Sequence, residues 1–112
     1  MEQYTIAILG EPASGKTTFV NLLRDCGFEK RYFATVGCEV HPTDWDGKIL
    51  NLWDFGRGPN NERHMPLMQG AIYMIRKKTD PVPDLGIPTQ VVLKRAMDPK
   101  KDMSELLKKM SV

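Results

Sequence analysis

The chain has 112 residues, of which 41% are hydrophobic and 27% charged, with a formal net charge of +2. This length fits one small domain with one modest core, and we expect residues 1–112 to form that domain. No run of 18 apolar residues exists and the N-terminus lacks a basic segment, so we expect no membrane span and no secretory signal. Residues 94–112 hold six Lys or Arg against three Asp or Glu, and such a weakly basic tail is not typical of nucleic-acid binding.

Two cysteines, Cys26 and Cys38, fit neither a disulfide framework nor a four-ligand zinc site. We therefore expect two reduced thiols, which is usual for cytosolic and nuclear proteins.

The first half of the chain alternates strand and helix signals. The segment YTIAIL (4–9) predicts a short buried strand, and residues 15–27 predict a helix that ends at a C-cap glycine. Residues 29–35 are polar and aromatic without a period, which predicts a loop. Residues 36–45 and 48–55 predict a β-hairpin, because Asp-Gly at 46–47 is a two-residue turn signal.

The second half is less regular. Residues 56–66 are loop-like with one helical turn, and GAIYMI (70–75) predicts a third buried strand. Three prolines in residues 77–88 indicate a connector rather than a helix. TQVVLK (89–94) predicts a further strand, and residues 102–110 predict an amphipathic closing helix. Strands that alternate with helices are typical of an α/β sheet.

The stretch GEPASGKT (10–17) has the spacing G-x-x-x-x-G-K-[ST] of a phosphate-binding loop, between a predicted strand and a predicted helix. Backbone N–H groups of such a loop converge on an anion at the helix N-terminus. Lys16 would reach the β- and γ-phosphates, and the Thr17 hydroxyl would bind Mg²⁺. The nucleotide-binding residues expected here are Gly10, Ala13, Ser14, Gly15, Lys16, Thr17 and Thr18. The alternative is a glycine-rich turn with an exposed lysine.

A phosphate cradle also needs a second protein ligand for Mg²⁺. Asp54 ends the apolar run ILNLW, where the metal-side aspartate of a phosphate-loop protein would lie. We expect Asp54 to bind Mg²⁺ together with Thr17, although aspartates also end strands without any such role.

Three stretches of the chain, GKTTFV, FEKRYFATVGCEVHP and NLWDFGRG, closely resemble the Ran branch of the Ras-like small GTPases. The resemblance runs from Tyr4 to about Ile75 and then fades. It implies a reduced P-loop small-GTPase fold: an α/β protein with about five mostly parallel strands, one antiparallel edge strand, and several family helices missing. It also implies GTP or GDP as ligand, Mg²⁺ as cofactor, a role in nucleocytoplasmic transport, and a location in nucleus and cytoplasm.

The same resemblance assigns three further residues. Phe28 matches the aromatic residue that lies against the purine, and Thr35 matches the switch threonine that completes Mg²⁺ coordination. The family's base-reading motif N-K-x-D corresponds to residues 95–98, of which only Asp98 is retained. Asp98 would pair with the guanine, or it would simply cap a turn before Pro99.

Departures from the family pattern affect hydrolysis. The family has D-T-A-G-Q-E after its third strand, whereas residues 54–59 read DFGRGP. Aligned without a gap, Arg57 replaces the glycine that meets the γ-phosphate, and Gly58 replaces the glutamine that orients the attacking water. Pro12 and Ala13 stand where the family usually has glycines. We therefore expect slow or absent hydrolysis.

Two functional hypotheses follow. The first is a reduced Ran-like protein that binds Mg²⁺–nucleotide with little turnover. The second is a non-enzymatic pseudo-GTPase or decoy that binds nuclear-transport factors. A small kinase-like enzyme is disfavoured, because neither an Arg-bearing lid nor a substrate pocket is evident. The shortened chain also predicts apolar sheet surface left open for a partner or a second copy.

Overall fold

The computed structural model describes residues 2–11, 13–23, 31–33, 38–55 and 64–112, of which 31–33 and 38 are described by their backbone alone. In these ranges the longer elements are β1 (Gln3–Gly10), α1 (Lys16–Leu23), β2 (Arg31–Phe33), β3 (Cys38–Trp45), β4 (Lys48–Phe55), β5 (Gly70–Ile75), β6 (Thr89–Leu93) and α2 (Pro99–Lys109). Two short 3-10 turns, Met65–Leu67 and Lys94–Ala96, complete the described elements.

The strands form one sheet in the order β2-β3-β4-β1-β5-β6. β1 pairs in parallel with both β4 and β5, and β5 pairs in parallel with β6. β3 runs antiparallel to β4, as the predicted hairpin requires. This arrangement confirms the expected α/β class with a mostly parallel sheet.

The hairpin turn between β3 and β4 has the geometry that its sequence predicts. Asp46 and Gly47 both have positive φ angles, of 49° and 79°. Two consecutive residues with positive φ are typical of the tight turns whose twist matches that of the flanking strands, which explains the preference for Asp-Gly.

Both described helices pack on one face of the sheet. Phe19, Val20 and Leu23 of α1 are buried there, as are Met103, Leu106 and Leu107 of α2. They join Ile6, Ile8, Leu50, Leu52, Ile72, Met74 and Val92 from the strands in one hydrophobic cluster. The amphipathic closing helix is thus confirmed, although it begins at Pro99 instead of residue 102.

The opposite face is covered by connecting segments. Ala7, Phe55 and Ala71 are buried there together with Met68, against partly buried side chains that include Leu85 and Ile87. We predicted apolar sheet surface left open for a partner or a second copy, and for the sheet as a whole this stays a prediction. On the described part of this face, the connector with three prolines packs Leu85 and Ile87 against the buried residues, whereas Val91 of β6 is 41% exposed.

Residues 31–33 correct another prediction. They pair with β3 as a short antiparallel strand outside the hairpin, where we predicted a loop. Three residues are too few to show a period in sequence, and their pairing depends on the exposed backbone edge of β3.

Over the described residues, neither helix has the length and apolar character needed to cross a membrane.

Replacing Leu106 by alanine should destabilise the protein, because Leu106 is fully buried where α2 meets the sheet. We expect a loss of about 2–5 kcal/mol in the free energy of unfolding, measured by urea denaturation. Leu22→Ala is the matched control, since Leu22 is 61% exposed on α1 and its loss should change stability by less than about 0.5 kcal/mol. Equal effects of the two variants would contradict this description of the core.

Candidate functional site

The glycine-rich segment lies at the carboxyl-terminal edge of the sheet. It leaves β1 at Gly10 and enters α1 at Lys16, and β1 is the central strand between β4 and β5. Because these three strands are parallel, their carboxyl ends meet at the same edge. Ligands of open α/β sheets bind at that edge, in the crevice outside the strands.

Gly10 is required by close backbone approach. It has φ of 150°, and a Cβ atom there would collide with the Met74 carbonyl oxygen and lie 2.8 Å from Met74 Cβ. Backbone atoms of a central strand cannot move aside, so a side chain at this position is excluded. The first glycine of the motif therefore allows β1 and β5 to lie side by side where the loop begins.

The loop itself follows a left-handed path. Gly15 has φ of 91° and Ala13 has φ of 58°. Glycine adopts this region without penalty, whereas a residue with a Cβ atom loses about 1 kcal/mol there. Ala13 stands where the family usually has glycine, and the structure shows that alanine still adopts the turn.

The start of α1 presents backbone donors to the same space. The first i to i−4 hydrogen bond of α1 runs from the Phe19 N–H to the Gly15 carbonyl oxygen (2.8 Å). The N–H groups of Lys16, Thr17 and Thr18 therefore have no acceptor within the helix. Donors at a helix N-terminus, together with the helix dipole, form a site for an anion.

Ser14 supports the fit of a phosphate group to this loop. Its side chain is 1% exposed, and its hydroxyl has no hydrogen-bond partner among the described residues. A buried hydroxyl without a partner costs free energy unless a ligand or water supplies one. The cavity beside it has a volume of about 300 Å³ and is lined by Ala13, Ser14, Gly15, Lys16, Thr17, Thr18 and Lys94.

Lys16 extends from the loop to the end of β4. Its Nζ donates a hydrogen bond to the Phe55 carbonyl oxygen at 3.0 Å. Asp54 precedes Phe55 and pairs in register with Ile8, two residues before Gly10. The predicted metal-side aspartate therefore lies at the same edge of the sheet as the phosphate loop.

Burial raises the pKa of the Asp54 carboxyl, because desolvation penalises its charged form. The positive charges of Lys16 and His41 act in the opposite direction, and the carboxylate of Glu39 adds to the rise. A half-buried carboxylate in such a setting is stabilised by a cation.

Lys94 is a site residue that the sequence analysis missed. Its Nζ donates a hydrogen bond to the Ala13 carbonyl oxygen at 2.8 Å, and its side chain lines the cavity. We assigned it to the strand 89–94, but β6 ends at Leu93 and Lys94 begins a 3-10 turn. The signal was its place just after a parallel strand, which brings it to the same edge as the loop.

Asp98 has the capping geometry that was one of its two alternatives. It is the N-cap of α2: its side chain accepts the Lys101 N–H at 3.4 Å, and its own N–H donates to Asp102 at 3.0 Å. The side chain of the preceding residue, Met97, packs over the loop at Gly15. A Cβ atom at Gly15 would lie only 2.9 Å from the Met97 Cε. A role of Asp98 in reading the base stays a prediction.

The remaining predicted residues lie outside the described part of the chain. They are Phe28, Thr35, Arg57 and Gly58. The roles assigned to them stay predictions.

Comparison with known proteins agrees with this geometry at the level of the fold. No protein-family model matches the chain. The G domain of the T. maritima FeoB iron transporter superposes with a TM-score of 0.65 at 13% identity, covering 99% of this chain and 100% of that one. The small GTPase Arl6 (BBS3) from Trypanosoma brucei, with a bound nucleotide analogue, superposes with a TM-score of 0.66 at 13% identity, covering 97% and 98%. The chain has the small GTPase fold.

One curated protein matches part of the sequence. The GTP-binding nuclear protein GSP1 of Encephalitozoon cuniculi (strain GB-M1) is 43% identical over an alignment of 56 residues, which covers 46% of this chain and 26% of that protein. The matched segment thus spans about a quarter of the relative's length.

Asp54→Asn should stabilise the protein at neutral pH in the absence of Mg²⁺ and nucleotide. Because the pKa of Asp54 is raised in the folded protein, the folded state favours the protonated carboxyl. This contribution to stability is fully present below the unfolded pKa of 3.8 and is lost as pH rises through the folded pKa. We therefore expect a higher free energy of unfolding for the variant at pH 7, and a difference that shrinks as pH is lowered toward 4. Urea denaturation across this pH range measures it.

Asp44→Asn is the control for this prediction, because Asp44 is an exposed aspartate in the neighbouring strand β3. A variant of Asp54 that is less stable than the parent protein at pH 7 would contradict the prediction.

Proposed function

We propose that this chain is a Ran-like GTP-binding protein that binds Mg²⁺–guanine nucleotide with slow or absent hydrolysis. The observation that carries the proposal is the loop from Gly10 to Thr18, with its positive φ angles and its buried Ser14 hydroxyl at the carboxyl edge of a parallel sheet. The small GTPase fold and the partial likeness to a GTP-binding nuclear protein support it.

In this proposal the loop binds phosphate through backbone and side chain together. The N–H groups of residues 15–18 would donate to phosphate oxygens, and Lys16 would neutralise charge on the β- and γ-phosphates. Thr17 and Asp54 would hold Mg²⁺, with Thr35 as the third protein ligand. When bound, Mg²⁺ would neutralise negative charge on the phosphates.

Lys94 would hold the loop in its binding conformation. Its hydrogen bond to the Ala13 carbonyl restrains the residue whose positive φ is least favourable. Its ammonium also adds a second positive charge to the cavity beside Lys16.

Two features favour a weak preference for guanine. Arg95, Ala96 and Met97 replace most of the family's base-reading motif, and the Asp98 carboxylate already accepts a hydrogen bond from α2. A single remaining carboxylate contact contributes about 1–3 kcal/mol, so we infer a preference for GDP over ADP of less than about a hundredfold.

A role in nucleocytoplasmic transport, in nucleus and cytoplasm, forms part of the proposal and rests on the Ran-like segments of the sequence. The second candidate is a pseudo-GTPase or decoy that binds transport factors without nucleotide. The loss of the base-reading residues and of the catalytic glutamine favours this candidate.

Equilibrium binding of fluorescent GDP, GTP and ATP with and without Mg²⁺ distinguishes the two candidates. We expect Mg²⁺-dependent binding that Lys16→Ala abolishes, because the variant removes the cation that meets the phosphates. Phosphate release should be slow or absent for the parent protein and for Lys16→Ala alike, since no glutamine follows Asp54 in the required position.

Absence of nucleotide binding by a protein that circular dichroism shows to be folded would overturn the first candidate and favour the decoy. Turnover at the rate of ordinary small GTPases, lost in Lys16→Ala, would contradict the expected lack of hydrolysis.

Lys94→Gln should weaken Mg²⁺–GDP binding about tenfold, because it removes a charge-assisted hydrogen bond that holds the loop. Lys100→Gln is the matched control: Lys100 is an exposed lysine in the first turn of α2, and its loss should leave the affinity unchanged. Titration of the fluorescent nucleotide measures both variants. Equal affinities of the two would contradict the role of Lys94.

A further inference from the structure

Three metal-ligating side chains converge on strands β3 and β4, beside the phosphate loop. Glu39 and Asp54 are directly opposite each other in the antiparallel register, and His41 is two residues along from Glu39. Residues two apart on a strand lie on the same face of the sheet, so the pleat brings all three side chains together.

The ligating atoms are close enough to share one ion. One ligand atom from each of Glu39, His41 and Asp54 lies within 4.8 Å of the other two. Nε2 of His41 lies 3.3 Å from Oε2 of Glu39. Ligands bound at about 2.0–2.2 Å from a common ion lie roughly 3–4 Å apart, so only a small rearrangement is needed.

The burial of the cluster is graded. The His41 side chain is 6% exposed, whereas the Glu39 side chain is 38% exposed. A cation would therefore enter from the Glu39 side and meet the imidazole at the bottom of the site. His41 and Glu39 already lie within ion-pair distance of each other, and a bound cation would take the place of that contact.

We propose that Glu39, His41 and Asp54 form a binding site for a divalent transition-metal cation of the Zn²⁺ class. An imidazole nitrogen with two carboxylates suits Zn²⁺, Mn²⁺, Fe²⁺ or Co²⁺, whereas Mg²⁺ prefers oxygen ligands alone. Three protein ligands leave a position open for water or another ligand.

This site is distinct in chemistry from the proposed Mg²⁺ site and shares only Asp54 with it. The transition metal would be held by strand residues and needs no nucleotide. The proposal therefore goes beyond the proposed function, and its test is run without nucleotide so that the two stand or fall separately.

The test is titration of the protein with Co²⁺ and with Zn²⁺, followed by visible absorption and by calorimetry. It uses the chain with both cysteines replaced, Cys26→Ser and Cys38→Ser, since thiolates bind both ions strongly. We expect one Co²⁺ per chain with d–d bands in the visible region, and displacement of Co²⁺ by Zn²⁺.

Variants of the ligands decide the assignment. His41→Gln and Glu39→Gln should each weaken Co²⁺ binding about tenfold or more. His64→Gln is the matched control, because His64 is the second of the two histidines of the chain and packs near Trp53 outside the cluster. If the buried His41 variant fails to fold, Glu39→Gln still tests the site, because Glu39 is partly exposed.

Failure to bind Co²⁺, or equal Co²⁺ affinity in the parent protein and the Glu39→Gln variant, would overturn the proposal. Loss of binding in His64→Gln as large as in His41→Gln would overturn it as well. Titration of fluorescent GDP with the same preparations reports the proposed function independently.

Discussion

The parallel pairing of β1 with β4 and β5 is the constraint on which the rest of the structure depends. It places the carboxyl ends of three strands at one edge, so that the loop after β1, Asp54 near the end of β4, and the turn after β6 meet there. The phosphate loop, the half-buried carboxylate and Lys94 are neighbours for that reason alone. Asp54 was expected there from its place at the end of an apolar run, whereas the contact of Lys94 with the loop follows from strand order.

The site is built from groups that do not stabilise the protein by themselves. Ala13 has an unfavourable backbone conformation, the Ser14 hydroxyl is buried, and Asp54 is partly desolvated. Each of these would gain from an anion or a cation at the loop. Residues that lower the stability of the folded chain in this way are typical of functional sites. The two faces of the sheet, in contrast, carry ordinary hydrophobic cores.

Methionines and a connecting segment fill the space around the sheet. The ends of the Met97 and Met110 side chains fill the space next to Gly15 and Gly70. The unbranched, flexible methionine side chain suits such irregular gaps beside close backbone contacts. The proline-rich connector packs Leu85 and Ile87 against the second face of the sheet.

Local patterns in the sequence were enough to predict the elements with strong periods and the loop between them. The apolar runs of β1, β4 and β5, the amphipathic α2 and the Asp-Gly turn all follow from local patterns. Three features became visible only in the folded protein: the pairing of β2, the contact of Lys94 with Ala13, and the proximity of Glu39, His41 and Asp54. These depend on strand order and register, which join residues far apart in sequence and leave no periodic signal in it.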